Sequence, residues 1–101
     1  KIIFFENPLD AANMCDCIMT DVWFSMGEKK SNYKKNLFKN FQVNDKLMNC
    51  AKSKAIFMHC LPANRNQEVT DSVIDGKKSV VWNQTLNRMF VQQSILYFLM
   101  K

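Results

Sequence analysis

The amino-acid sequence predicts an α/β fold in which a parallel sheet carries helices on both faces. Short apolar runs typical of buried strands alternate along the chain with segments of helix-forming composition. Of the 101 residues, 48% are hydrophobic and only 2 Gly and 2 Pro occur, which excludes a disordered or low-complexity chain. A chain of this length buries roughly two thirds of its unfolded surface. We therefore expect one core and at most one domain.

The first elements are a strand, a helix and a second strand. The apolar run Lys1–Phe5 is predicted to be a strand that ends at the turn signal Asn7-Pro8. Pro8 suits the first turn of a helix, because the N–H that proline lacks has no helical partner there. We expect this helix to extend to Met14. The second strand is predicted over residues 15–22.

Two helices are expected before the third strand. The lysine-rich segment 28–39 has one weak apolar face at helical spacing. Asn44 suits the N-cap of a helix over Asp45–Ala51, because its side chain can accept a hydrogen bond from an unpaired N–H of the first turn. The third strand is predicted over residues 55–60, where the sequence is Ala-Ile-Phe-Met-His-Cys.

The rest of the chain adds helix, strand and helix. A short helix is expected to begin at Thr70 or Asp71 and to end at Gly76. The last strand is predicted over residues 79–82 and the last helix over residues 86–100. Strands that alternate with helices indicate a parallel sheet joined by right-handed crossovers.

The sequence also indicates in which cellular compartment the protein is expected. The longest apolar runs are far shorter than the roughly 20 residues of a membrane-spanning helix. Residues 1–6 lack a sustained apolar stretch and a small-residue cleavage site, so no signal peptide is expected there. Four cysteines at irregular spacing fit a reducing compartment better than a disulfide scaffold. The sequence therefore predicts a cytoplasmic protein that does not associate with membranes.

The chain is basic, with 14 Lys and Arg against 9 Asp and Glu and a net charge of +5. Part of this charge is a lysine cluster, and clustered lysines can bind the phosphates of nucleic acids. The preferred interpretation is a solvated helix face, because the cluster offers no stacking platform for bases beyond Tyr33. We therefore expect no nucleic-acid partner. The cluster consists of Lys29, Lys30, Lys34, Lys35 and Lys39.

Polar or reactive side chains follow three of the predicted strands. Asp21 lies at the end of the second strand, Cys60 ends the third, and Arg88 follows the fourth in the last helix. In a parallel α/β sheet, ligands bind beyond the carboxyl ends of the strands. We therefore expect an acid, a thiol and a guanidinium at one edge. Each also has a purely structural interpretation: a loop cap, a small buried side chain and a solvated charge.

Two other kinds of site are disfavoured. A thiol-imidazole dyad of Cys60 with His59 is not expected in a strand, because adjacent side chains point to opposite faces. Cys15 and Cys17 form a C-x-C pair, but a zinc site needs a second matched pair of ligands. We therefore predict no metal.

Taken in order, the motifs of this chain resemble those of ornithine carbamoyltransferases, and the match covers nearly the whole chain. The Ser-Met-Gly loop distinguishes this family from aspartate carbamoyltransferases, and the His-Cys-Leu-Pro run is among its most specific signatures. The matching residues are 21–27 (DVWFSMG), 59–63 (HCLPA), 69–70 (VT), 73–76 (VIDG), 79–82 (SVVW) and 87–88 (NR).

The resemblance implies a Rossmann-like sheet that is part of the C-terminal, ornithine-binding domain of a two-domain enzyme. Residues 1–84 would belong to this domain, and residues 85–101 would form a helix that returns to the carbamoyl-phosphate domain. The implied reaction transfers the carbamoyl group of carbamoyl phosphate to the side-chain amine of L-ornithine, giving citrulline and phosphate in arginine metabolism. It needs neither a metal nor an organic cofactor, and enzymes of this family are commonly homotrimers.

The resemblance also implies residue roles. Asp21 would bind ornithine through its amine end, and Ser25 and Met26 would hold it as their loop closes. An alkyl amine has a pKa near 10, so a group at the site must take a proton before the amine can attack. The residues alone do not decide whether a thiolate at Cys60 or a carboxylate at Asp21 accepts this proton.

Three residues would contact the carbamoyl group. The resemblance implies that Cys60 and Leu61 bind carbamoyl phosphate and that Arg88 orients the carbamoyl oxygen. A fixed cation at that position would stabilise the negative charge that develops on the oxygen.

The sequence departs from the family pattern at two places. Residues 63–66 read Ala-Asn-Arg-Asn where the family often has a second His and a Gly, and residues 84–88 read Gln-Thr-Leu-Asn-Arg where an Ala-Glu pair commonly precedes the Asn. The phosphate-binding Ser-Thr-Arg-Thr-Arg and His-Pro-x-Gln segments of the N-terminal domain do not occur in these 101 residues. We therefore expect the 101-residue chain alone to be inactive.

Two alternatives remain open at this point. One is a carbamoyltransferase for putrescine or a modified ornithine; the Ser-Met-Gly loop argues against putrescine, which has no α-carboxylate to hold. The other is a basic binding module without catalytic activity.

Overall fold

The computed structural model describes residues 1–25, 27–29 and 31–101. Strands β1 (Cys17–Thr20) and β2 (Ile56–His59) form a parallel sheet and pair along their whole length. An isolated parallel bridge between Phe57 and Ser79 adds a third segment beside β2. The predicted α/β class with a parallel sheet is confirmed.

Five α-helices of the described residues accompany this sheet. Side-chain caps fix the start of two of them: Asn7 accepts a hydrogen bond from the N–H of Leu9, and Asn44 accepts one from the N–H of Leu47, both at 3.0 Å. The predicted cap at Asn44 is thereby confirmed. The helices are α1 (Pro8–Ala12), α2 (Asn32–Phe38), α3 (Asp45–Cys50), α4 (Asp71–Ile74) and α5 (Val81–Leu99), and a 3-10 turn, Lys39–Phe41, follows α2.

The predicted first strand does not form. Residues 1–5 adopt no regular structure, and Ile2 and Phe4 are 82% and 91% exposed. A strand needs a neighbour to pair its backbone N–H and C=O groups, and in the described chain β1 pairs only with β2. Apolar, β-branched composition is therefore not sufficient to form a strand at residues 1–5.

The predicted last strand is also wrong beyond its first residues. The N–H of Val80 donates to the carbonyl of Phe57 at 3.0 Å, but Val81 already begins α5, five residues earlier than expected. The side chain of Val81 is fully buried in the core. A short apolar run fits a buried helix start as well as a buried strand, and its pattern alone does not separate the two.

The core lies on one face of the sheet. Ile18 and Phe57 are neighbours in register and are both buried, whereas Met19 and Ile56 on the opposite face are 59% and 37% exposed. The helices of the described chain therefore bury one face of the strand pair. They contribute Ala12, Leu47, Met48, Val73, Ile74 and Val81 to this core.

Most of α5 extends away from the core. Val81 is its one buried residue, and the apolar side chains of the later turns are each at least 47% exposed. No helix of the described residues is long and apolar enough to span a membrane. The exposed side chains include Leu86, Met89, Phe90, Ile95, Leu96 and Leu99.

Candidate functional site

The side chains of Asp21 and Cys60 meet at the carboxyl edge of the sheet. Asp21 follows β1 and Cys60 follows β2, and because these strands are parallel neighbours their ends adjoin. The thiol of Cys60 donates a hydrogen bond to Oδ1 of Asp21 at 3.1 Å. The N–H of Val22 donates to the same oxygen at 2.7 Å. The structure thus joins the acid and the thiol that the sequence predicted at one edge.

This contact changes the acidity of both groups. The hydrogen bond from Cys60, together with that from Val22, lowers the pKa of Asp21. The same bond raises the pKa of Cys60, and partial burial and the negative charge of Asp21 act in the same direction. The site therefore holds an ionised carboxylate next to a neutral thiol.

Arg88 lies in the second turn of α5 and is exposed to solvent. Its positive charge lowers the pKa of Cys60 and so opposes part of the effect of Asp21. Arg88 is thus near enough to act on the thiol electrostatically, and no described carboxylate forms an ion pair with it. The guanidinium remains available to a ligand.

The loop after β1 supplies the predicted ornithine-binding residues. Ser25 is exposed, and its N–H donates to Oε2 of Glu28 at 3.1 Å. Gly27 has a φ of +84°, which glycine adopts readily and other residues rarely do. Met26, the third residue of this prediction, lies outside the described residues.

A cavity of about 450 Å³ lies between this loop and the turn after β2. Asp21, Ser25 and Gly27 line it on one side, and Pro62 and Asn64 line it on the other. Its volume is within the range of small-molecule sites. The two loops that carry the predicted residues therefore share one cavity.

The turn after β2 has an unusual backbone. Leu61 has a φ of +53°, which is rare for a bulky residue, and the Leu61-Pro62 peptide bond is cis. The N–H of Leu61 donates to Nδ1 of His59 at 2.8 Å. His59 is fully buried, whereas Cys60 points toward Asp21, so the two side chains diverge as strand geometry predicted.

Two residues near this turn were not predicted from the sequence. Glu68 is fully buried, and its Oε1 lies 3.4 Å from Nε2 of His59. Gln84 of α5 accepts a hydrogen bond from the backbone N–H of His59 at 3.1 Å. A glutamate in a polar loop resembles a surface residue, and only the position of Glu68 directly before the apolar residue Val69 could have suggested otherwise.

Neither Cys15 nor Cys17 is part of a ligand cluster in the structure. All four cysteines are free thiols, and the thiol of Cys15 donates to the carbonyl of Ala11 at 3.0 Å. Within residues 1–25, 27–29 and 31–101, no three His, Cys, Asp or Glu side chains are grouped so as to hold a metal ion.

Comparison with known proteins places these features in a family. Residues 1–99 match the family described as aspartate/ornithine carbamoyltransferase, Asp/Orn binding domain. A protein of Rhodopseudomonas palustris (strain BisA53) named ornithine carbamoyltransferase is 50% identical over 96 residues, which are 95% of this chain and 31% of that protein. One from Pyrobaculum aerophilum with the same name is 46% identical over 100 residues, 98% of this chain and 33% of that protein.

Solved structures agree. The ornithine carbamoyltransferase from Pyrococcus furiosus has a TM-score of 0.83 at 48% identity over 89% of this chain and 29% of that one. The enzyme of that name from Thermus thermophilus has a TM-score of 0.86 at 32% identity over 97% of this chain and 32% of that one. This chain spans about a third of the length of these relatives. By sequence and by fold, it belongs to the aspartate/ornithine carbamoyltransferase family and matches its Asp/Orn-binding domain.

Proposed function

We propose that this chain is the ornithine-binding part of an ornithine carbamoyltransferase. The reaction transfers the carbamoyl group of carbamoyl phosphate to the side-chain amine of L-ornithine and yields L-citrulline and phosphate, a step of arginine biosynthesis. The hydrogen bond between Cys60 and Asp21, beside the cavity that the Ser25 loop lines, carries this proposal. The names of the relatives support the choice of ornithine.

Ornithine binding relies on the ionised carboxylate of Asp21. Because the pKa of Asp21 is lowered, it stays negatively charged near neutral pH and attracts the amine end of ornithine, which is cationic there. Ser25 and Met26 hold the substrate as the loop closes. The conformation of Gly27 supports a tight turn in that loop.

Carbamoyl transfer starts from a protonated amine that must lose a proton. The amine nitrogen then attacks the carbamoyl carbon, the bond from that carbon to the phosphate oxygen breaks, and phosphate leaves with the second proton that the nitrogen gives up. The pKa of the Cys60 thiol is raised and that of the Asp21 carboxyl is lowered, so the thiol is neutral and the carboxylate of Asp21 is the available proton acceptor. A general base of this kind contributes about 10²–10⁴ to the rate.

Cys60 and Leu61 contact the carbamoyl group from the turn after β2. Arg88 orients the carbamoyl oxygen and stabilises the negative charge that develops on it. Two observations support this role. Arg88 forms no ion pair with a described carboxylate, and its positive charge lowers the pKa of Cys60. Holding both substrates in line supplies further acceleration.

The remaining parts of the proposal concern assembly. The motifs that bind phosphate do not occur in residues 1–101, so a carbamoyl-phosphate domain completes the site. The exposed apolar side chains of residues 85–101 pack on that domain; the boundary after residue 84 lies inside α5, so one helix joins both parts. The complete enzyme is a cytoplasmic homotrimer that requires no metal or organic cofactor and has no nucleic-acid or membrane partner.

A chimaera tests the proposal. In it, residues 1–101 replace the matching segment of the Rhodopseudomonas palustris relative. We expect citrulline formation from carbamoyl phosphate and ornithine, and at most weak activity with putrescine. Cys60→Ala is expected to impair transfer strongly. Cys17→Ala, which removes an exposed thiol of β1, is the matched control.

The proposal is wrong if the folded chimaera forms no citrulline, or if it prefers putrescine. Salt-sensitive nucleic-acid binding that Cys60→Ala leaves intact, without carbamoyl transfer, would instead indicate a basic binding module.

A further inference from the structure

Two fully buried titratable side chains, His59 and Glu68, lie behind the site and take no part in the proposed reaction. Nε2 of His59 is 3.4 Å from Oε1 of Glu68. We propose that His59 and Glu68 are a pair of positioning residues that fixes the turn carrying Cys60 and Leu61. This inference rests on the proposed function, since the turn matters only if these residues contact the carbamoyl group.

His59 holds the start of the turn. Its Nδ1 accepts a hydrogen bond from the N–H of Leu61 at 2.8 Å, so a neutral ring carries its proton on Nε2, the atom that faces Glu68. Leu61 has a left-handed backbone that a bulky side chain disfavours. The contact with His59 therefore supports a conformation that Leu61 does not favour by itself.

Glu68 holds the end of the turn. Its Oε1 accepts a hydrogen bond from the N–H of Asn64, on the far side of Pro62. Its own backbone is fixed, because its carbonyl accepts a hydrogen bond from the N–H of Val43 at 2.8 Å. Through His59 and Asn64, one buried carboxylate thus reaches both ends of the turn that carries Cys60.

Burial makes this arrangement sensitive to the loss of either partner. A buried polar group that loses its partner keeps its full desolvation penalty, so the turn must rearrange when one residue of the pair is removed. Cys60 lies between the two anchored ends, and its thiol reaches Asp21 only in the present turn geometry. The pair therefore acts on the reaction through the position of Cys60 and Leu61.

Two amide variants of the chimaera separate positioning from simple packing. Asparagine places an acceptor near the position of Nδ1, whereas glutamine reaches the position of Nε2 and leaves the N–H of Leu61 unpaired. We expect His59→Gln to lower kcat roughly 100-fold, the scale of a 1 Å misplacement, with little change in KM for ornithine. His59→Asn is expected to retain most of the activity.

Glu68 allows the same comparison. Glu68→Gln keeps an acceptor for the N–H of Asn64 and is expected to resemble the unmodified chimaera. Glu68→Met has a similar size without an acceptor and is expected to behave like His59→Gln. If a His59 variant does not fold, the two Glu68 variants still separate positioning from simple packing.

A second measurement does not depend on catalysis. Alkylation of Cys60 by iodoacetamide without substrates, followed by mass spectrometry of its peptide, reports how well the thiol is held against Asp21. We expect faster alkylation in His59→Gln and Glu68→Met than in the two conservative variants. The alkylation rate of Cys17 in the same samples is the internal control.

Equal losses of kcat in His59→Asn and His59→Gln, with unchanged alkylation of Cys60, would overturn the inference. A chimaera that forms no citrulline at all would contradict the proposed function instead. In that case the alkylation rates alone decide whether the pair positions the turn.

Discussion

The thiol of Cys60 donates a hydrogen bond to the carboxylate of Asp21 across a sequence separation of 39 residues. Each group shifts the pKa of the other, down for the carboxyl and up for the thiol. The contact therefore fixes which of the two is charged before a substrate arrives.

A first prediction concerns the pH profile of the chimaera. The hydrogen bond from Cys60 is the largest cause that lowers the pKa of Asp21, so Cys60→Ala should raise that pKa toward its usual value. The carboxylate form binds ornithine, and the acidic limb of the residual kcat/KM for ornithine is then expected to move to higher pH. Cys60→Ser retains a donor and should show a smaller shift. An acidic limb that does not move in Cys60→Ala would contradict this coupling.

A second prediction concerns the loop before α4. Arg65 pairs with Asp71 at 2.6 Å and Asp75 at 2.5 Å and lowers the pKa of both carboxyls. Groups with a lowered folded-state pKa stabilise the fold above their unfolded pKa, and that contribution is lost as the pH falls through the lower folded values. Arg65→Met should therefore speed hydrogen exchange of residues 63–76 near neutral pH.

The difference between Arg65→Met and the unmodified chimaera should shrink as the pH falls below about 4. Lys54→Met, which removes an exposed lysine that forms no ion pair among the described residues, is a charge-matched control. A difference that persists unchanged in acid would show that Arg65 acts through packing and not through these carboxylates.

A third prediction concerns Gly27. Its φ of +84° lies in the left-handed region, and apart from its chain neighbours no described residue has an atom within 4 Å of a Cβ added there, so Gly27→Ala meets backbone strain without a clash among the described residues. The cost is about 1 kcal/mol. If the closed loop needs this conformation, KM for ornithine should rise about fivefold, while KM for carbamoyl phosphate stays nearly constant. Steady-state kinetics with each substrate varied in turn measures both KM values. An equal rise of KM for ornithine and for carbamoyl phosphate would contradict the prediction.

A fourth prediction concerns the 101-residue chain alone. Without the phosphate-binding motifs it should catalyse no carbamoyl transfer. A sensitive colorimetric or radiolabel assay for citrulline, with the chimaera as positive control, tests this. Detectable citrulline from the chain by itself would mean that residues 1–101 hold a complete site.

A fifth prediction concerns the exposed part of α5. An apolar cavity on this helix is lined by Phe90, Val91, Ile95, Phe98 and Leu99 among others, and such a surface promotes association. The isolated chain should therefore be marginally stable or self-associate. Analytical ultracentrifugation should show Ile95→Glu shifted toward monomer and Gln92→Glu, on the same helix, unchanged. A sharp unfolding transition of a monomer, independent of concentration, would contradict this.

The structure could be predicted from the sequence wherever a local signal and its tertiary partner both lie among residues 1–101. Asn44 caps a helix with its own side chain, and Asp21 lies close to Cys60 because parallel pairing places the ends of β1 and β2 at the same edge of the sheet. Residues 1–5 have the composition of a strand but no neighbour among the described residues. The apolar run 79–82 is predicted to be a strand, but Val81 begins α5, so such a run is compatible with a helix start as well as with a strand.

The buried pair behind the site could not be predicted for a different reason. The burial of Glu68 depends on the path of the chain after Pro62, and the polar residues that precede it are typical of a surface loop. The sequence places His59 next to Cys60, but the partners of its side chain are Leu61 and Glu68. Met26 lies outside the described residues, so its role stays a prediction.

The parallel pairing of β1 with β2 also sets an order of events during synthesis. A ribosome that has made Asp21 must add the whole of α2 and α3 before β2 exists, and several further residues before Glu68 can close the turn. Contacts of such long sequence separation form late compared with local helices. The early helices of the nascent chain can therefore form before β1 and β2 pair, and the turn that carries Cys60 is held at both ends only after Glu68 has been made.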